Sequence, residues 1–163
     1  MKKITLILIF ILFISSVSFA QSSDTRTLSN REEVSIAPVA EANFYTKDKV
    51  GAGGGLALSY GDGIAFGFKG LYFMDFDKLN TLELLATVRF YLLDFNGNRG
   101  LFAEIDGGPA FFFEEGEDMK GMISGGLCVG WRFLFRKHLY VEPFVRGGYP
   151  FVAGAGVSGG FRF

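Results

Sequence analysis

The chain has 163 residues, 49% of them hydrophobic and 17% aromatic, with a net charge of −1. Such a balance excludes a nucleic-acid binder that works through a basic face, and the apolar content excludes a disordered chain. The length suits one domain, but 20 Phe and 23 Gly beside only 20% charged residues is an unusual mixture for a water-facing surface.

The first segment reads as a leader. Lys2 and Lys3 precede an apolar run over residues 4–14, interrupted only by Thr5, and the small residues Ser18 and Ala20 form a cleavage pattern. This predicts a secretory signal peptide over residues 1–20, cut after Ala20. The run is short for a membrane-spanning helix of about 20 residues. Gln21, not Cys, follows the cut, so no lipid is expected there. Removal of the leader leaves fourteen basic and seventeen acidic side chains. Cys128 is the one cysteine, so no internal disulfide can form and the secreted chain needs another means of stabilisation. Residues 21–33 are polar and predict a flexible lead-in.

From Val34 onward the chain alternates with period two, the mark of strands, and no segment sustains a helical period. Eight strands are predicted: 34–44, 50–60, 64–72, 82–92, 101–113, 123–133, 139–149 and 153–163. One face of each is free of charge, from Ile36 and Phe44 on the first to Val157 and Phe161 on the last. The opposite face carries Glu41, Lys69, Glu83, Arg89, Glu104, Asp106, Arg132, Glu142, Arg146 and Arg162, five of each sign. Much of the rest of that face is small, as in Gly51, Gly53, Gly55 and Ser59. Gly61-Asp62-Gly63 is a hairpin signal, and the other connectors (46–49, 74–81, 93–99, 114–119, 134–138 and 149–151) are short. Together they predict an all-β, eight-stranded antiparallel up-and-down barrel over residues 34–163.

Composition decides which face points outward. A soluble exterior would be dense in Lys, Glu and Thr. Here the polar face is small and sparsely charged, which suits the crowded lumen of an eight-stranded barrel. The uncharged face suits lipid. Strands of about 10–12 residues match the 9–11 needed to cross a bilayer at a tilt. Aromatic residues gather at both strand ends: Tyr60, Phe90, Trp131, Phe133, Phe161 and Phe163 at one, Phe44, Tyr72, Phe111, Phe113 and Tyr149 at the other. Two interfacial girdles are expected. Pro38, Pro109 and Pro143 fall within strands and are expected at bulges or strand ends.

These features resemble the small eight-stranded outer-membrane proteins of diderm bacteria, the OmpW-like and OmpX-like barrels. The signal peptide, the eight alternating segments and the final Gly159-Gly160-Phe161-Arg162-Phe163 carry the resemblance. Gly130-Trp131-Arg132-Phe133 and Arg146-Gly147-Gly148-Tyr149-Pro150-Phe151 look similar to short-looped spirochaetal versions. The resemblance implies a monomeric, porin-like integral protein of the outer membrane, surrounded by lipid, whose Phe163 is read by the barrel-assembly machinery. It implies no activity.

The inward charges suggest their own pairing. A hairpin centred near residue 96.5 sets Arg89 opposite Glu104, one centred at 137 sets Arg132 opposite Glu142, and one near 76 sets Lys69 close to Glu83. Three even-numbered strands end in an Arg-Phe pair, at Arg89-Phe90, Arg132-Phe133 and Arg162-Phe163, each with Arg inward. An ion or proton path and a salt-bridged plug both fit these residues, and balanced charge in a narrow barrel favours the plug.

Three functions compete. Inward Leu71, Phe73, Leu85, Phe112 and Met122 could line an apolar cup that binds or passes small hydrophobic molecules, beside a role in envelope integrity. A surface adhesin or immune-evasion protein is the alternative, but the loops are short for a stable interface. An enzyme is not expected. The single histidine, His138, lies in a turn beside Arg136 and Lys137, and no Ser is placed to act as nucleophile with it. Cys128 reads as an inward packing residue. Gly53-Gly54-Gly55 and Gly107-Gly108 are strand glycines with no helix after them, so they are not phosphate loops. The acidic stretch at 114–118 reads as a solvated tip. No metal, cofactor or nucleic acid is expected.

Overall fold

The computed structural model describes residues 33–45, 50–75, 79–93, 99–114, 118–135 and 137–163. The expected leader, nearly all of the polar lead-in and the centre of the acidic tip lie outside them. The strands are β1 (Val34–Tyr45), β2 (Val50–Asp62), β3 (Ile64–Asp75), β4 (Leu79–Tyr91), β5 (Gly100–Glu114), β6 (Lys120–Phe135), β7 (Leu139–Tyr149) and β8 (Phe151–Arg162). Each pairs antiparallel with its sequence neighbour, and β1 pairs with β8 to close the barrel. Closure leaves no open sheet edge, which explains how the fold holds without a disulfide.

Alternation sets the inside and the outside. Phe66, Phe68, Ile123 and Leu127 stand exposed on the outer surface, while Glu83, Glu104, Glu142 and Arg146 are buried. This inversion of the soluble pattern follows directly from the period-two sequence, because successive side chains on a strand point to opposite faces. Gly61 and Gly63 adopt positive φ at the β2–β3 hairpin, as the tight turn requires.

Two local expectations need correction. β3 runs on to Asp75 and β4 begins at Leu79, so the connection is shorter than the residues 74–81 suggest. The hairpin is centred one residue later, which sets Lys69 opposite Leu85 and Leu71 opposite Glu83. The prolines are neither bulges nor strand ends. Pro38 pairs in register with Leu56, Pro109 with Ile123 and Pro143 with Val157, with no register shift at any of them. On its other side each proline is skipped by the ladder, which resumes in the same register. A strand residue sends its N–H to only one neighbour, so proline removes one bond there and leaves the other pairing intact.

The register shift lies instead between Phe44 and Tyr45, which face Ala153 and Phe151 on β8. Val152 is the extra residue and is exposed, the behaviour of a bulge. It turns Phe151, expected in a connector, into a buried residue.

The small inward residues answer the large ones. A Cβ on Gly130 would lie 2.5 Å from Phe102 Cζ, 2.7 Å from the Pro143 carbonyl and 2.8 Å from Phe144 Cβ, whereas one on outward Gly107 would meet only the Ser124 carbonyl at 3.8 Å. Gly130→Val is therefore expected to abolish the fast-migrating folded form seen when unboiled barrels are run on a gel. Gly107→Val is expected to fold normally; equal folding of the two would contradict this packing.

Candidate functional site: an ion-paired interior

The inward charges meet in one cluster that crosses the barrel. Arg146 on β7 is its most connected member. Its Nε and Nη2 donate to Asp106 Oδ2 and Oδ1, both at 2.8 Å, in a two-pronged contact. Its Nη1 donates to Glu83 Oε2 at 2.9 Å and to Glu41 Oε1 at 3.3 Å. Ser124 donates to the other Glu83 oxygen at 3.0 Å. One guanidinium thus gathers carboxylates from β5, β4 and β1, as its planar fork of donors permits.

Lys69 joins this part of the cluster to the next. It pairs with Glu104 and lies 3.9 Å from Asp106. Arg89 reaches Glu104 Oε2 through Nε at 2.8 Å and Nη2 at 2.7 Å, and Glu142 Oε1 through Nη1 at 2.7 Å. Arg132 Nε donates to the same Glu142 oxygen. Ser158 donates to Glu142 Oε2 at 2.8 Å. The chain of contacts therefore runs unbroken from Arg132 to Glu41.

Aromatic faces support the cations. Arg89 lies 4.1 Å from the Phe102 ring centre, Arg132 lies 4.0 Å from that of Tyr140 and 5.0 Å from that of Tyr91, and Arg146 lies 4.3 Å from that of Phe151. Such stacking attracts a guanidinium where water is excluded. Charge, ring and carboxylate are buried together in the interior.

Known structures share this architecture. The N-terminal β-barrel domain of Pseudomonas aeruginosa OprF matches with a TM-score of 0.58 at 18% identity, over 83% of this chain and 100% of that one. Neisserial surface protein A matches with a TM-score of 0.57 at 11% identity, over 80% of this chain and 95% of that one. The fold is that of the small eight-stranded outer-membrane barrels. No family model matches the sequence, and a search of curated proteins gives no match.

The predicted charged residues fall in two places, nine in the cluster and Arg162 at the strand end. Arg89 stands opposite Glu104 in the ladder and is bonded to it, and Arg132 bonds Glu142 across the β6–β7 hairpin. Glu83 meets Arg146, not Lys69, because the β3–β4 register differs by the one-residue shift of the turn. Arg162 leaves the cluster. It pairs with Glu33 at 2.8 Å, and its Nε donates to the Lys137 carbonyl at the strand end. The buried network therefore joins four cations to five carboxylates, and the five-to-five balance is corrected by one.

The apolar group also divides. Leu71, Phe73 and Leu85 have at most 1% of their surface exposed, while Phe112 is half-buried and Met122 is exposed. The first three are packed filling, because an eight-stranded lumen has little room beyond its own side chains. The aromatic supports Tyr91, Phe102, Tyr140 and Phe144, whose ring centre lies 5.8 Å from Lys69 Nζ, were missed, although each shares strand parity with a named charge. Cys128 is buried among them.

Glu41 is the least anchored carboxylate. Among the described residues its Oε2 has no hydrogen-bond partner, and neither polar atom of the neighbouring inward Asn43 has one. Because the cluster holds one carboxylate more than cations, Glu41→Gln removes surplus charge at constant shape. Its expected effect on the unfolding free energy stays within about 1 kcal/mol, the scale of a single ordinary hydrogen bond. Urea titration of the folded gel form measures it.

Proposed function

We propose that the chain is a non-enzymatic, monomeric integral protein of the outer membrane whose interior is a structural plug and whose role is envelope integrity. One observation carries this reading: a continuous buried ion-pair network fills a barrel whose exposed face is apolar. Exposed Phe66, Phe68, Ile123 and Leu127 are stable only against a non-aqueous neighbour, and lipid supplies one around the whole circumference. Buried paired charges cross-link the strands from within. The similar barrels OprF and Neisserial surface protein A support the same placement.

The packing of Leu71, Phe73 and Leu85 favours a filled interior over passage of small hydrophobic molecules. The short connections disfavour an adhesin.

Trp131 is the one tryptophan and lies on the outer face, 6.2 Å from the Phe133 ring. In vesicles of brominated phospholipid its fluorescence is expected to be quenched, as contact with bromine in the acyl region requires. Fluorescence equal to that in unbrominated vesicles would overturn the lipid-facing assignment.

A further inference from the structure

A groove of about 540 Å³ runs along the outside of the barrel, within the range of roughly 300–1,000 Å³ found for small-molecule sites. It crosses β1, β8 and β7, walled by Ile36, Pro38, Leu139, Val141 and Phe161. Gly159, which points outward between these walls, has no side chain to fill it. The groove also takes in Leu56 on β2 and Phe135, the last residue of β6 before the β6–β7 turn.

That turn carries exposed Lys137 and His138. These two residues are held to β8 by hydrogen bonds. Arg162 Nε donates to the Lys137 carbonyl at 2.9 Å, and the Arg162 amide donates to the His138 carbonyl at 2.8 Å. The His138 ring stacks on Phe161, a wall of the groove, with centroids 5.5 Å apart and planes 8° from parallel. His138 Nδ1 lies 3.0 Å from the Arg162 carbonyl. That oxygen can only accept, so Nδ1 donates and Nε2 is left for another partner. The nearby carboxylate Glu33 is engaged by Arg162.

An apolar furrow on a lipid-facing surface, with exposed Lys137 and His138 just beyond its Phe135 and Phe161 walls, matches an amphiphile with acyl chains and an anionic head. We propose that this groove is a binding site for one anionic phospholipid. An acyl chain lies over Gly159, and the phosphate is held by the Lys137 ammonium beside the His138 ring. The site rests on the membrane reading above and adds to it a specific lipid and a specific place.

The test uses the full barrel in vesicles of mixed phosphatidylglycerol and phosphatidylcholine, followed by extraction and counting of retained lipid by native mass spectrometry. The wild type is expected to retain one phosphatidylglycerol in preference to phosphatidylcholine. Lys137→Glu is expected to lower phosphatidylglycerol retention by about fivefold or more, the effect of losing one surface cation near an anionic head, and to leave phosphatidylcholine unchanged. Gly159→Leu is expected to lower retention of both lipids. A Cβ there would lie 3.8 Å from the Tyr140 carbonyl and from Val141 Cγ2, so the side chain fits the barrel and occupies the groove. Gel mobility without boiling shows that each variant is folded, and Lys137→Glu carries the test if Gly159→Leu does not fold. Wild-type retention in the folded variants would overturn the site, as would a dimer that Gly159→Leu disperses. Trp131 quenching separates the two claims. Quenching with equal lipid retention overturns the site alone, and absence of quenching overturns the membrane reading and the site with it.

Discussion

Arg146→Ala is expected to be the most destabilising single substitution in the lumen. The side chain holds Asp106, Glu83 and Glu41 at once, and its removal leaves their carboxylates buried with reduced compensation. Asp106 would keep only the longer 3.9 Å contact with Lys69 among its described ion pairs, and Glu83 would keep Ser124. Orphaning one buried charge costs roughly 3–5 kcal/mol, and here more than one carboxylate is affected, so at least the upper part of that range is expected. The stacking on Phe151 is lost as well. The urea midpoint of the folded gel form measures the loss. Adding Asp106→Asn to Arg146→Ala is expected to recover part of it, because the amide removes one uncompensated charge. This non-additivity is what coupled neighbours show. Arg162→Ala is the contrast. That pair is partly exposed at the strand end, where ion pairs are worth about 0–1 kcal/mol. Equal effects for Arg146→Ala and Arg162→Ala would remove the case for a cross-linked interior.

Glu142→Ala is expected to come second. Its Oε1 serves both Arg89 and Arg132, and its Oε2 accepts from Ser158. Arg89 would keep Glu104, but Arg132 would be left with the faces of Tyr140 and Tyr91. A loss of roughly 3–4 kcal/mol is expected, since one guanidinium is orphaned and a second is weakened. Glu142→Gln is expected to lose less, because its amide oxygen still accepts from Arg132. The difference between wild type and Glu142→Ala is expected to be the same in low and high salt, because ions do not screen a buried pair as they do an exposed one. A difference that vanishes in high salt would place these residues in contact with bulk water.

Strand number, strand faces and the inward position of the nine clustered charges were legible because a period of two is written residue by residue. The pairings Arg89–Glu104 and Arg132–Glu142 were legible too, since a hairpin of known centre fixes which residues face each other. Lys69 shows how narrow that margin is: a one-residue shift of the β3–β4 turn replaces Glu83 with Leu85 as its neighbour. The longer contacts were not legible. Arg146 meets Asp106 two strands away, and Arg89 meets Glu142 three strands away. Those partners are brought together by closure and strand stagger, which no single hairpin encodes. Phe151 was hidden for a related reason, because the bulge at Val152 reverses its parity. The departure of Arg162 from the network was hidden by the barrel's end, where an inward parity no longer means an enclosed position.

In the proposed reading this interior is closed by its own charges. The most direct measurement is the conductance of the refolded wild-type barrel in a planar lipid bilayer, with insertion verified by Trp131 quenching in the same lipid. The expected result is current at baseline, because Arg146, Arg89 and their carboxylates occupy the space an ion would need. Large, stable and uniform single-channel steps from the wild type would contradict it.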